Sequence, residues 1–226
     1  MTASMTQNEA NPCSVVRASE AALLDEVSCY YQQKLAAHGP TPKGVDWNGV
    51  ESQETRFREL CRCLDWSQDF TVNDLGCGYG ALVGYLERQG SNYRYFGWDI
   101  APSMIQEANR LYGDNVHAKF SVGAIPQQIA DYGLASGIFN VRQGRADAEW
   151  FGFILQTLDV LNKSSSKAFA FNCLTAYSDE DKKRDYLYYA DPLALFDHCK
   201  RRFGRRVSLL HDYELYEFTI IVRKTS

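Results

Sequence analysis

The chain has 226 residues, a formal net charge of −4, and 45% hydrophobic residues. That length suits one α/β domain with a short extension. The charge argues against a protein built mainly to grip nucleic acid, and no run approaches the roughly 18–20 apolar residues a bilayer helix needs.

Residues 1–17 are polar and aperiodic and read as a flexible tail. They hold no basic stretch followed by an apolar block, so no secretory signal is expected. Seven scattered cysteines without a C-x-x-C pair suit reduced thiols in a cytoplasm, not a disulfide framework or a metal site. A helix is predicted over 19–37, with Leu23, Val27, Tyr30, Tyr31 and Leu35 on one stripe. The Gly/Pro-rich stretch 38–44 stops it. A second helix over 52–64 places Phe57, Leu60, Cys61 and Leu64 on one face. Residues 18–66 therefore form a helical unit outside the sheet, a candidate lid in which Trp47 would supply an aromatic wall.

From Phe70 the pattern alternates. Strands are expected at 70–75, 93–99, 118–122, 134–139 and 167–174. Helices are expected at 81–89, from Pro102, from Asp147 and over 191–203, with Asp191-Pro192 as N-cap and first helical residue. A further crossover helix is expected between the third and fourth strands. Strands at 206–211 and 215–222 close the chain. Such alternation predicts a doubly wound, mostly parallel, Rossmann-like α/β sheet over residues 67–226. The last two strands share a turn of a few residues, which only antiparallel neighbours can do. The basic cluster Lys200, Arg201, Arg202, Arg205 and Arg206 reads as a solvated helix end with an edge-strand guard.

The chemistry centres on Asp74-Leu-Gly76-Cys-Gly78-Tyr-Gly80, between a strand and a helix. Its glycines let the backbone turn sharply and approach a ligand with no Cβ in the way, and the helix start turns N–H groups toward that ligand. Asp99, at the end of the neighbouring strand, can accept hydrogen bonds from both hydroxyls of a ribose. The loop also meets a loose dinucleotide fingerprint. Asp74, however, would repel a pyrophosphate and suits a ligand carrying an ammonium or sulfonium.

On these residues, on Gly97-Trp-Asp99-Ile-Ala-Pro-Ser-Met104 and on the closing helix and hairpin, the stretch from Phe70 to Lys224 resembles the class I S-adenosylmethionine-dependent methyltransferases. The resemblance implies a seven-stranded sheet with the last strand antiparallel. It implies S-adenosylmethionine as cofactor, its methionine part and ribose wrapped by Asp74, Gly76, Gly78 and Gly80. Asp99 would take the ribose hydroxyls, with Ile100 beside the adenine. The region Val122-Gly-Ala124-Ile would contact the adenine through backbone groups. Asn140, Asn172, Thr175 and Tyr177 would sit at the fourth and fifth strand ends, by the sulfonium. Asn140 could accept a hydrogen bond from the cofactor's amino group, and Tyr177 could face the sulfonium with its ring. Gln53 and Arg56 could face one ligand, Arg56 pairing with the cofactor's carboxylate.

Two activities follow. One is methyl transfer to a small molecule, in secondary metabolism, with neither nucleic acid nor membrane as partner. The other keeps the cofactor but closes it on itself, giving azetidine-2-carboxylate and methylthioadenosine. The chain is similar in size and layout to azetidine-2-carboxylate synthases, and no evident base awaits an external acceptor. A scaffold without catalysis would not need Asp99.

Overall fold

The computed structural model of the protein describes residues 12–90 and 92–225. Most of the expected tail, residues 1–11, lies outside the described residues. Helix α1 (Pro12–His38) begins earlier than the stripe predicts and takes in the end of that stretch. A short 3-10 turn (Pro42–Val45) follows, then α2 (Val50–Leu60) and a second 3-10 turn (Cys61–Cys63). The second helix thus keeps its apolar face but tightens at Cys61, short of the expected end.

The sheet is built from β1 (Phe70–Leu75), β2 (Tyr93–Asp99), β3 (Ala118–Val122), β4 (Ala130–Ala135), β5 (Ser165–Leu174), β6 (Arg206–Leu210) and β7 (Glu217–Arg223). Its order is β3-β2-β1-β4-β5-β7-β6. β1 to β5 pair in parallel, and β7 lies antiparallel to both β5 and β6. The expected doubly wound α/β sheet with one reversed strand is therefore present. The chain runs outward from β1 to β3 and then returns to β4, so the crevice between the carboxyl ends of β1 and β4 is the topological switch point.

Helices α3 (Ala81–Gln89), α4 (Pro102–Tyr112), α5 (Asp147–Lys163) and α6 (Pro192–Arg202) link the strands. On one face of the sheet Phe57 and Leu60 of α2 and Leu82 and Leu86 of α3 pack over Val72, Tyr95 and Leu134. On the other, Leu23 of α1, Trp150, Ile154 and Leu158 of α5 and Leu195 of α6 pack over Phe169, Phe171 and Phe218. Asp191 caps α6 by accepting from the Leu193 and Ala194 amides at 2.8 and 3.3 Å. Among the described residues no helix is long and apolar enough to cross a membrane.

Two expectations need correction. The crossover between β3 and β4, residues 123–129, holds no helix; the chain passes directly, its Gln128 carbonyl accepting from Asn73 Nδ2 at 3.0 Å. The fourth strand runs over 130–135 and not 134–139. Its apolar tail is a buried loop: Gly137 takes φ +74°, its amide donates to Asn172 Oδ1 at 2.7 Å, and Phe139 plugs the core against Phe171. Apolar residues in a row marked burial here, not strand geometry.

Candidate active site

β1 delivers the chain into Gly76, Gly78 and Gly80, all in the left-handed region at φ +75°, +55° and +84°. The Gly76 and Cys77 amides both donate to the Trp98 carbonyl, at 2.7 and 3.0 Å, which folds the loop back over β2. A Cβ on Gly76 would overlap Ile138 Cγ2, so this turn tolerates only glycine. Gly78 lines the cleft described below. Gly80, expected there too, caps α3 instead; its bare α-carbon faces Phe120 and Tyr112, 2.9 and 3.1 Å from where a Cβ would lie.

Asp99 is buried at the carboxyl end of β2. Its Oδ2 accepts from the Gly78 amide at 2.9 Å and its Oδ1 from the Ala101 amide at 2.8 Å. Those bonds favour the ionised form, but burial outweighs them and pushes its carboxyl up to about 6. Asp74 is also buried and accepts from the Tyr95 hydroxyl at 2.6 Å. Burial first, and the Asp99 charge second, push it up to about 7 against the help of that hydrogen bond.

The loop floors a mostly apolar cleft, as small-molecule sites are. Asp99 and Ile100 form one wall with Gly123 and Ala124; Ser136, Gly137 and Ile138 form the other. The roof comes from the N-terminal helices and their connection: Leu24, Val27 and Tyr31 of α1, then Trp47, Gln53 and Phe57. Gln53 Nε2 donates to the Tyr79 hydroxyl at 3.0 Å, tying the roof to the loop. The Ser136 hydroxyl is buried on this cleft with no hydrogen-bond partner among the described residues. A buried orphan hydroxyl is costly unless a ligand completes it. Together the glycine floor, the buried acid and this orphan group fit an adenosyl amino acid.

A second, more polar cleft continues from the first. Tyr31, Val45, Trp47 and Gly137 belong to both. It reaches Asn140, Leu174 and Glu217 at the strand ends, with Tyr186, Tyr216 and Arg184 farther out.

Between the clefts and the sheet lies a charged network that sequence reasoning assigned differently. Arg56 donates to Glu217 from Nε at 2.9 Å and from Nη2 at 2.5 Å, and both side chains are buried. Its guanidinium stands 4.8 Å from the Trp47 ring centre. Asn172 Nδ2 donates to Glu217 Oε2 at 3.0 Å. Arg56 therefore lines the second cleft and not the cofactor cleft, and its planar fork is taken by Glu217 instead of a cofactor carboxylate.

The other candidates sort by position. Gln53, Asp74, Gly76, Gly78, Asp99, Ile100 and Ala124 line the first cleft. Asn140 lines the second, where its Oδ1 accepts from the Leu174 amide at 3.0 Å. That bond uses one of the two lone pairs of the oxygen expected to face the cofactor's amine. Asn172 is fully buried with both ends of its amide engaged and borders neither cleft. Thr175 is buried within a turn, its Oγ1 accepting from the Tyr177 amide at 3.3 Å. Tyr177 is 66% exposed, its ring 5.9 Å from that of His211 and away from both clefts. Because the fourth strand ends at Ala135, Ser136 and not Asn140 follows its carboxyl end onto the first cleft. The Ser136-Gly137 pair, small and turn-forming after an apolar run, was the available signal.

Residues 72–141 match the family described as "Methyltransferase domain". The chain is 53% identical over 165 residues to "Putative methyltransferase Rv1506c" of Mycobacterium tuberculosis, covering 73% of this chain and 99% of that protein. It is 30% identical over 159 residues to "Aklanonic acid methyltransferase DauC" of a Streptomyces species, covering 67% of this chain and 61% of that one. Among solved structures, the N-methyltransferase NodS of Bradyrhizobium japonicum, bound to S-adenosylhomocysteine, superposes with a TM-score of 0.64 at 13% identity, over 88% of this chain and 99% of its own. Human N-acetylserotonin methyltransferase, bound to S-adenosylmethionine, gives 0.56 at 16% identity, over 78% and 53%.

Proposed function

The chain belongs to the class I S-adenosylmethionine-dependent methyltransferases, and from that premise we propose that it methylates a small molecule of secondary metabolism, held in the second cleft. Asp99 would hold the ribose, and Gly76 and Gly78 would leave room for the methionine part. Ile100 and Ala124 would flank the adenine. Ser136 would hydrogen-bond the polar end of the amino acid. When bound, the cofactor supplies a methyl group activated by its sulfonium. The protein's own part is alignment: holding an acceptor in line with that methyl and excluding water removes much of the entropic barrier.

The observation that carries this reading is the second cleft opening onto the first beneath Tyr31 and Trp47. Ring closure of the cofactor on itself has no use for such a space, so the cleft supports transfer over cyclisation. Incubation with S-adenosylmethionine alone separates the two. The cofactor is expected to persist until an acceptor is added and then yield S-adenosylhomocysteine. Methylthioadenosine formed without any acceptor would establish cyclisation instead.

A further inference from the structure

The acceptor cleft offers little by way of a base. None of the chain's four histidines lines either cleft. Of the carboxylates on the acceptor side, Asp46 accepts from the Tyr30 hydroxyl and from Lys34 Nζ, each at 2.6 Å. Glu217 is taken up by Arg56 and Asn172. Glu214 stands exposed at the rim. The Tyr31 phenol at the junction is pushed up by burial and by the charges of Asp46, Asp99 and Glu217, so it keeps its proton. Asp74 and Asp99 lie on the cofactor side only.

The same cleft carries unspent hydrogen-bond donors. Arg184 gives Nη1 to the carbonyls of Asp181 and Lys183 at 3.1 and 2.8 Å, and among the described residues no carboxylate pairs with it. Asn140 commits its side-chain oxygen to Leu174, and its Nδ2 makes no hydrogen bond among the described residues. Trp47, Tyr186 and Tyr216 supply flat apolar walls between them.

We propose that the acceptor is a planar carboxylate, an aromatic or conjugated acid that enters ionised and leaves as its methyl ester. The inference rests on the methyl-transfer reading above. A carboxylate oxygen forms the new bond to the methyl carbon, while the carbon–sulfur bond breaks and its electron pair stays on sulfur. The carboxylate and sulfonium charges vanish together, and no proton moves. The missing base is then no defect: an acceptor already ionised at neutral pH needs none. Asn140 Nδ2 orients the acid, and the Arg184 guanidinium on the same cleft supplies the charge that pairs with it.

The test uses the full chain and three probes of one shape: 2-naphthoate, 2-naphthamide and 2-naphthol. With S-adenosylmethionine, methyl 2-naphthoate is the expected product. In the complex with S-adenosylhomocysteine, the acid is expected to bind at least about tenfold tighter than the amide, as a charge-assisted hydrogen bond allows. Arg184→Gln should erase most of that preference while leaving the affinity for S-adenosylhomocysteine unchanged. Methylation of the naphthol in place of the acid overturns the proposal. So does an acid that binds no tighter than the amide, including the case where neither binds. S-adenosylhomocysteine formed with the naphthol would leave methyl transfer standing and reject only the acid. Methylthioadenosine formed with no probe present would reject methyl transfer itself.

Discussion

Asp74 feels the charge of Asp99 across the paired ends of β1 and β2, and each carboxyl is buried deeply enough to titrate well above its ordinary value of 3.8. The two sit beneath one glycine loop, line one cleft and titrate in neighbouring pH ranges. Because the folded chain holds these protons more tightly than the unfolded chain, their contribution to stability is fully present below about pH 4. It is lost as pH rises through about 6 for Asp99 and about 7 for Asp74. Thermal melts of the protein and of Asp74→Asn should therefore diverge between pH 4 and 7, the variant losing less stability on the way up. Parallel curves would show that Asp74 is not the group responsible.

Cofactor affinity should run the other way. Ribose hydroxyls are best held by an ionised Asp99, so affinity for S-adenosylhomocysteine is expected to rise with pH and level off above about 6. Asp99→Ala should weaken binding by about 1–3 kcal/mol and flatten that profile. Calorimetric titration over pH 5–8 measures both effects.

Ser136 separates ligand binding from folding. Its hydroxyl is buried without a partner, so Ser136→Ala should leave the melting temperature unchanged or slightly higher, while cofactor binding weakens by about 1 kcal/mol. Unaltered affinity would remove Ser136 from the site.

Gly76 and Gly78 should fail differently. A side chain at 76 meets Ile138, so Gly76→Val is expected to cost stability by overpacking and backbone strain, about 2–6 kcal/mol in sum. Gly78 has open cleft before it, with only Val45 Cγ1 near at 3.1 Å. Gly78→Val should abolish cofactor binding at a smaller loss of fold, seen as a folded spectrum with no ligand-induced rise in melting temperature.

The Arg56–Glu217 pair predicts a strong asymmetry. Removing one partner strands a buried charge, so Arg56→Ala or Glu217→Ala should destabilise by about 3–5 kcal/mol, whereas Arg56→Met combined with Glu217→Leu should recover much of it. Denaturant melts of the single and double variants test this.

Much of this was legible before any coordinates. The Gly76–Gly80 turn, Asp99 and the reversed final strand announce themselves through residues whose chemistry is local: glycines at a bend, an acid at a strand end, a hairpin too short to cross over. Arg56 and Asn172 were harder, because each takes its meaning from a partner far along the chain, and Ser136 because only its burial without a partner marks it. Arg56 meets Glu217 across 161 positions, and no spacing rule links them. β4 misled for a related reason: Ile138 and Phe139 are apolar because they fill the core beneath a loop, and a run of apolar side chains looks the same in either setting.

The bond between α2 and β7 also orders events during synthesis. The floor of the cleft is encoded by residue 80, but the clasp that fastens its canopy waits for Glu217, 161 positions after Arg56. A ribosome-tethered chain can therefore form the turn that greets the nucleoside long before it can shut anything over it, and competence for catalysis arrives only with the closing strand.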